Sequence, residues 1–186
     1  MHIALSGRLG SGKSTVAKIL QAEHGFEIYS TGKIQRGIAE KMGITTLELN
    51  LRMENDPKLD FEIDNAVAEI SRRKSGERIL FDSRMAWHFA ENAFKVYLYV
   101  DPTVAAERVV ADNRGSVENY KNAEDARDKL IARAKAENQR YMQIYGVDNL
   151  DFCNYDLIVD TTRRTPEEVA AIIYKAYEKA SEGRKQ

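Results

Sequence analysis

Short apolar runs alternate with longer amphipathic segments along most of the chain. The runs HIALS, FEIYS, RILFD, KVYLYV and YDLIV each have the length and composition of a buried strand. Helical spacing of apolar residues follows the first two runs and predicts further helices over 59–74, 103–113, 123–145 and 166–180. Because parallel strands are joined by helices that cover both faces of their sheet, this alternation predicts an α/β fold with a five-stranded parallel sheet.

Residues with a turn or cap preference support the same boundaries. Gly25 can end the first helix, since glycine accepts the left-handed backbone of a helix C-cap. Thr165, Pro166 and the two glutamates after them provide an N-cap, a first-turn proline and favourable charge for the last helix. Asp101 and Pro102 likewise end one strand and open a helix.

Composition limits the class of protein and its partners. With 186 residues, 43% of them hydrophobic, the chain is expected to form one domain. The 28 basic and 29 acidic residues nearly cancel, so we expect neither a nucleic-acid nor a membrane partner. One cysteine, Cys153, and the absence of an apolar leader or bilayer-length run indicate a cytoplasmic protein. We expect either a monomer or a homodimer that acts on small-molecule nucleotides.

The segment GRLGSGKST lies between the first predicted strand and the first helix, and it matches the P-loop pattern Gly-x4-Gly-Lys-Ser completely. Its glycines allow backbone N–H groups to point at phosphate oxygens, and the helix that follows adds a positive N-terminus. Lys13 would neutralise the β and γ phosphates, and Ser14 would place a hydroxyl on Mg²⁺. We therefore predict that ATP and Mg²⁺ bind here, with contacts from Gly7, Gly10, Ser11, Gly12, Lys13, Ser14 and Thr15.

A second group of charged residues follows the third predicted strand. Asp82 ends this strand at the carboxyl edge, where open α/β sheets bind ligands, and its carboxylate would hold Mg²⁺ directly or through water. Arg84 would make a bidentate contact with the phosphate of an acceptor. The alternatives are a turn residue for Asp82 and a solvated surface side chain for Arg84.

The predicted helix 123–145 places a carboxylate on its apolar face. At about 100° per residue, Glu137 falls within the stripe formed by Leu130, Ala134, Tyr141, Ile144 and Tyr145. A carboxylate in this position needs partners, and Arg133 and Arg140 are within reach along the helix. One interpretation is a structural ion-pair network. The other is a pair of arginines that bind phosphates, with Glu137 orienting them.

With these pieces placed, the sequence resembles the nucleoside monophosphate (NMP) kinases, and among them the archaeal-type cytidylate kinases. The resemblance covers nearly the whole chain and includes FEIYSTGKIQR, DPKLDFEID, FDSRMAW, YLYVDPTVAAERV, RAKAENQRYMQIYGVD and YDLIVDTTRRTPEEV. It implies strand order 2-3-1-4-5 in a single domain, 1–186, with its core at about 1–32 and 76–180. It also implies an NMP-binding insertion at about 33–75, a lid at about 112–125, and transfer of phosphate from ATP to CMP or dCMP.

The resemblance also implies roles for individual residues. Ser30, Thr31 and Arg36 would line the acceptor side, with Arg84 and Glu137 as further acceptor-binding residues. Arg108 corresponds to an arginine at the base of the lid on the donor side, and TTRR at 161–164 lies where the donor adenine is held. The predicted catalytic residues are Lys13, Asp82, Arg133 and Arg140.

Two other functions remain open at this stage. Lys33 stands where the family usually has aspartate, and a reversed charge there would suit another small phosphoryl acceptor, such as dephospho-coenzyme A. The third hypothesis is a regulatory protein that binds ATP without transferring phosphate. Lys13, Ser14 and the arginine pair argue against it, because a protein that only binds nucleotide does not need them.

Overall fold

The computed structural model describes residues 1–44, 49, 52, 57–111 and 120–183. Its five strands form one sheet, all parallel, in the order β2-β3-β1-β4-β5, which confirms the predicted fold class. The strands are β1 (His2–Gly7), β2 (Glu27–Ser30), β3 (Ile79–Asp82), β4 (Ala93–Tyr99) and β5 (Leu157–Asp160).

Seven α-helices are present in the described residues. They are α1 (Lys13–His24), α2 (Thr31–Lys41), α3 (Pro57–Arg73), α4 (Ala86–Phe89), α5 (Pro102–Ala111), α6 (Ala123–Tyr145) and α7 (Pro166–Gly183). The short α4 is the one that the apolar spacing does not predict, because a single turn is too brief to show a helical period. None of the described helices has both the length and the apolar character that crossing a membrane requires.

The predicted caps are present where the structure describes them. Gly25 ends α1 in the left-handed conformation, with φ of 69°. At the start of α7, Thr165 and Glu168 form a capping box: the Thr165 hydroxyl accepts from the Glu168 N–H, and the Glu168 carboxylate accepts from the Thr165 N–H. Asp101 accepts from the N–H of Thr103 at the start of α5.

Helices pack on both faces of the sheet. On one face, α1 and α7 bury the largest apolar cluster against the inward side chains of four strands, among them Leu5, Leu80, Val96 and Val159. On the other face, α3 and α4 pack against Ala4, Phe81 and their neighbours. Trp87 of α4 is buried against Tyr97 and Tyr155.

Strand register places the predicted site at one edge of the sheet. Asp82 of β3 lies opposite Leu5 of β1 and Ser30 of β2, so these strands reach the carboxyl edge together. The P-loop starts at this edge, directly after β1. Of the predicted lid at 112–125, residues 112–119 lie outside the described residues, and 123–125 form the first turn of α6.

Candidate active site

Three glycines give the loop between β1 and α1 its shape. Gly7, Gly10 and Gly12 all have positive φ, at 146°, 76° and 85°. A Cβ atom on Gly7 would come 2.5 Å from the carbonyl oxygen of Leu98, and one on Gly10 would come 2.7 Å from that of Ala105. Close packing against β4 and α5 therefore requires the first two glycines. A Cβ on Gly12 would have no atom within 4 Å, so there the backbone conformation alone favours glycine.

The Lys13 ammonium lies across this loop. Its Nζ atom donates hydrogen bonds to the carbonyl oxygens of Gly7, at 2.7 Å, and Arg8, at 2.9 Å. The Ser11 hydroxyl also donates to the Arg8 carbonyl, at 2.7 Å. Ser14 and Thr15 are exposed on the first turn of α1, where a ligand can reach both hydroxyls. The loop thus presents a fixed cation and an open helix N-terminus on its ligand side.

The carboxyl edge also brings together three residues predicted for the metal and the acceptor. The Ser30 hydroxyl donates to Asp82 Oδ2 at 3.3 Å. Thr31 is buried at the start of α2, directly after Ser30. Arg36 lies in the same helix, but its side chain is outside the part of the chain that is described.

Glu137 holds two guanidinium groups that come from different elements. Its side chain is 16% exposed, and Oε1 accepts from Arg133 Nε at 2.9 Å and from Arg84 Nη1 at 2.5 Å. The Arg133 contact is the one predicted from helical spacing. The Arg84 contact spans 53 residues and was not predicted. The Ser6 hydroxyl donates to the backbone carbonyl of Arg84 at 3.1 Å. This hydrogen bond connects Arg84 to the residue that precedes the P-loop.

Tyr141 lies one turn after Glu137 on the same helix. Tyr141 is buried, and burial raises the pKa of its hydroxyl. The positive charges of Arg84 and Arg140 oppose this rise in pKa, and the negative charges of Glu137 and Asp64 add to it. The Arg140 guanidinium lies 5.5 Å from the centre of the Tyr141 ring. The hydrogen bonds described for Glu137 come from Arg84 and Arg133, so the predicted pairing of Arg140 with Glu137 stays a prediction.

Arg108 connects the P-loop to the segment predicted to hold the donor base. It donates to the carbonyl oxygen of Thr161 at 2.8 Å and to that of Gly10 at 3.4 Å. The predicted donor-side arginine is therefore in contact with both the loop and the TTRR segment. These contacts hold the backbone of the two segments together.

Arg8 is a candidate site residue that the sequence analysis missed. Its guanidinium lies 4.6 Å from the centre of the Tyr99 ring, and Nη1 donates to the Val100 carbonyl at 3.4 Å. Burial raises the pKa of Tyr97, and both Arg8 and Arg84 oppose that shift. The P-loop pattern leaves the position of Arg8 unspecified, and so the motif gave no signal for it.

Comparisons with known proteins agree with this geometry. Residues 2–163 match the cytidylate kinase-like family. A cytidylate kinase of Natronomonas pharaonis is 38% identical over 178 residues, which cover 95% of this chain and 88% of that protein. An S-adenosylmethionine-dependent nucleotide dehydratase of Lacinutrix mariniflava is 36% identical over 180 residues, covering 96% of this chain and 36% of that protein.

The fold also has solved relatives. A shikimate kinase from Acinetobacter baumannii, in complex with shikimate, superposes with a TM-score of 0.59 and covers 96% of this chain and 93% of that one. At 20% sequence identity, this similarity concerns the fold alone.

Proposed function

Since the chain belongs to the cytidylate kinase-like family, we propose that it transfers the γ-phosphate of ATP to a nucleoside monophosphate, with CMP or dCMP as the preferred acceptor. The observation that carries this proposal is that Arg84 and Arg133 both donate hydrogen bonds to Glu137. The backbone of Arg84 also accepts a hydrogen bond from Ser6, the residue before the P-loop. One site then combines a cradle for a polyphosphate with cations for a second phosphate.

The proposed step needs positioning and positive charge more than covalent chemistry. An oxygen of the acceptor phosphate forms a bond to the γ-phosphorus, and the bond from that phosphorus to the β–γ bridging oxygen breaks. Lys13 and the P-loop N–H groups stabilise the negative charge that builds up on the departing ADP. Arg84 and Arg133 bind the acceptor phosphate, and Glu137 orients them. The acceptor phosphate is already ionised at neutral pH, so the step requires no general base.

The oxygens of Ser14 and Asp82 fit a magnesium ion. Mg²⁺ prefers one or two protein oxygens together with water and substrate phosphates, and a hydroxyl with one carboxylate is such a set. Among the described residues there is no group of three or more acidic, histidine or cysteine side chains that would form a dedicated metal cage. Bound Mg²⁺ would neutralise charge on the β and γ phosphates.

The test is ADP release from Mg-ATP with each of CMP, dCMP, UMP, AMP, GMP and dephospho-coenzyme A, beside a reaction without acceptor. We expect CMP or dCMP to give the largest stimulation. Lys13→Ala should lower kcat by about 10²–10³-fold, because it removes a cation that acts on the transferred group. Lys18→Ala, an exposed lysine on α1, is the matched control and should leave the rate unchanged.

Each outcome separates the proposed function from its alternatives. Stimulation by dephospho-coenzyme A alone would support a kinase of another acceptor, for which Lys33 is the sequence feature. Tight ATP binding without stimulation by any acceptor would support a regulatory nucleotide-binding protein. Either result would reject transfer to a nucleoside monophosphate.

A further inference from the structure

Arg8 is an arginine of the P-loop that forms no ion pair with a carboxylate in the described part of the chain. Its side chain is half-buried, and its Nη1 lies 3.4 Å from the Val100 carbonyl oxygen, a long hydrogen bond to an uncharged group. Burial raises the pKa of Tyr97, and the charge and a hydrogen bond of Arg8 oppose that rise. A half-buried cation without a counter-ion costs free energy, and a bound anion would offset that cost.

The Tyr99 ring fixes the position of this guanidinium. The ring lies beneath the Cζ atom of Arg8, with its centre 4.6 Å away. A guanidinium that packs on an aromatic ring keeps its N–H groups at the edge of its own plane, where they can still donate hydrogen bonds. Arg8 is therefore held by a contact that uses none of its five N–H donors.

The sheet places Arg8 and Arg84 on opposite sides of the strand that leads into the P-loop. β1 lies between β3 and β4. Arg84 follows β3, and its backbone is bonded to Ser6, whereas the Arg8 side chain extends over Tyr99 of β4. In the proposed reaction the donor phosphates occupy the P-loop and the acceptor phosphate contacts Arg84. The phosphoryl group that moves between them thus passes next to the start of the loop, where Arg8 is located.

The charge balance of the proposed site leaves a need for a further cation. Arg84 and Arg133 both donate to Glu137, so its carboxylate cancels one of their two charges. Lys13 adds one charge from the other side of the loop. Phosphoryl transfer depends on positive charge around the transferred group, and a guanidinium without a carboxylate partner supplies its full charge.

We propose that Arg8 is a further catalytic residue, whose guanidinium, held by Tyr99, binds the phosphoryl group while it passes from ATP to the acceptor. This inference rests on the proposed function. The bonds that form and break at the γ-phosphorus are those of the step described above. In the transition state negative charge lies on the three equatorial oxygens of that group, and Arg8 donates hydrogen bonds to them. No proton is transferred, because a guanidinium stays protonated at neutral pH.

The first measurement is the steady-state kinetics of Arg8→Gln, with ATP and the preferred acceptor varied in turn. Glutamine keeps a hydrogen-bonding side chain but loses the charge. We expect kcat to fall by about 10²–10³-fold, while KM for each substrate stays close to that of wild type, because the contact is made in the transition state. Arg8→Lys keeps the charge without the planar donor group, and its kcat should fall by a smaller factor.

Arg73→Gln is the matched control. Arg73 is an exposed arginine at the end of α3, before β3 begins, and so lies near the opposite edge of the sheet from the P-loop. The substitution removes the same charge as Arg8→Gln does and should leave kcat as it is in wild type.

A binding measurement separates a catalytic contact from a structural one. Aluminium fluoride, added with Mg-ADP and the acceptor, takes the place of the transferred phosphoryl group. Titration calorimetry should show that Arg8→Gln weakens this complex by about the factor that it removes from kcat, while the affinity for Mg-ADP alone is unchanged. The titration also counts the folded sites, so a loss of folded protein does not imitate the result.

Several results would overturn this inference while wild type still transfers phosphate and the kinase proposal stands. One is an unchanged kcat in Arg8→Gln, and another is an equal loss of affinity for Mg-ADP alone and for the fluoride complex. A third is lower thermal stability with kcat per folded molecule unchanged, which would make Arg8 structural. If Arg8→Gln does not fold, the same assays on Arg8→Lys decide the question. A wild-type protein that phosphorylates no nucleoside monophosphate rejects the proposed function itself.

Discussion

Gly10 and Gly12 share a left-handed backbone but differ in their surroundings. A side chain at Gly10 would meet the backbone of α5 within 2.7 Å, whereas one at Gly12 would meet no protein atom within 4 Å. Gly10 is therefore needed for packing, and Gly12 for loop conformation alone.

Alanine substitutions should separate these two requirements. Gly12→Ala should lower the free energy of unfolding by about 1–2 kcal/mol, the cost of a left-handed alanine. Gly10→Ala should lower the free energy of unfolding by about 1–3 kcal/mol more than Gly12→Ala does, because α5 or the loop must move. Urea unfolding of both variants measures the difference. Equal losses of stability would show that the contact with Ala105 does not restrict the loop.

At the scale of elements, α6 links the segment after β3 to α3. Near its middle Glu137 binds Arg84, which follows β3, and at its end Tyr145 binds Asp64 of α3. Its N-terminus is capped by Asn122, whose side chain accepts from the Asp125 N–H at 2.8 Å. A shift of this helix would therefore disturb both the contact with Arg84 and the contact with α3.

Glu137→Gln tests this linkage. The variant keeps an acceptor oxygen but loses the charge that balances Arg84 and Arg133, so both guanidinium groups become less well oriented. We expect kcat to fall by up to about 100-fold with CMP, while KM for ATP stays close to that of wild type. Steady-state kinetics with each substrate varied in turn measures this split.

Glu124→Gln is the control on the same helix, because Glu124 is exposed in the first turn. A purely structural ion pair predicts a different result for Glu137→Gln: lower thermal stability, with kcat per folded molecule unchanged. That result would remove Glu137 from the site.

The features that sequence predicted are those encoded locally. The strands, the P-loop and the pairing of Arg133 with Glu137 depend on neighbouring residues or on one helical turn, and all are present. The contacts from Arg84 to Glu137 and from Tyr145 to Asp64 join residues 53 and 81 positions apart. Such contacts depend on how α3 and α6 pack over the sheet, and no periodicity in one sequence reports that packing.

For the whole molecule, His2 couples stability to pH. It is fully buried at the start of β1, and its Nε2 is 2.9 Å from the carbonyl oxygen of Ser71 on α3. Burial lowers the pKa of His2, and the hydrogen bond to Ser71 opposes part of that shift. The neutral imidazole is therefore the form that the folded protein favours.

This shift predicts the direction of the pH dependence. The unfolded chain binds a proton at His2 below about pH 6.5, whereas the folded protein binds it only at a lower pH. His2 should thus contribute its full stability above about pH 6.5 and lose it as the pH falls through the interval between the two pKa values. Urea unfolding of wild type between pH 5 and 8 measures the loss.

His2→Gln should flatten this pH dependence, because glutamine can still donate to Ser71 and does not titrate. A residual slope of the same sign is expected from His88, whose pKa is also lowered by burial and by Lys95. If wild type and His2→Gln lose stability in parallel as the pH falls, His2 does not control this dependence.

The resting position of Lys13 has a consequence for how any anion enters the loop. Its ammonium is already solvated by the two carbonyl oxygens of Gly7 and Arg8, so an incoming phosphate exchanges partners with the loop instead of meeting a bare charge. The observed affinity is then the difference between two sets of contacts. A nucleotide can therefore be held firmly enough for catalysis and still be released as product, because the lysine regains its internal partners when the anion leaves.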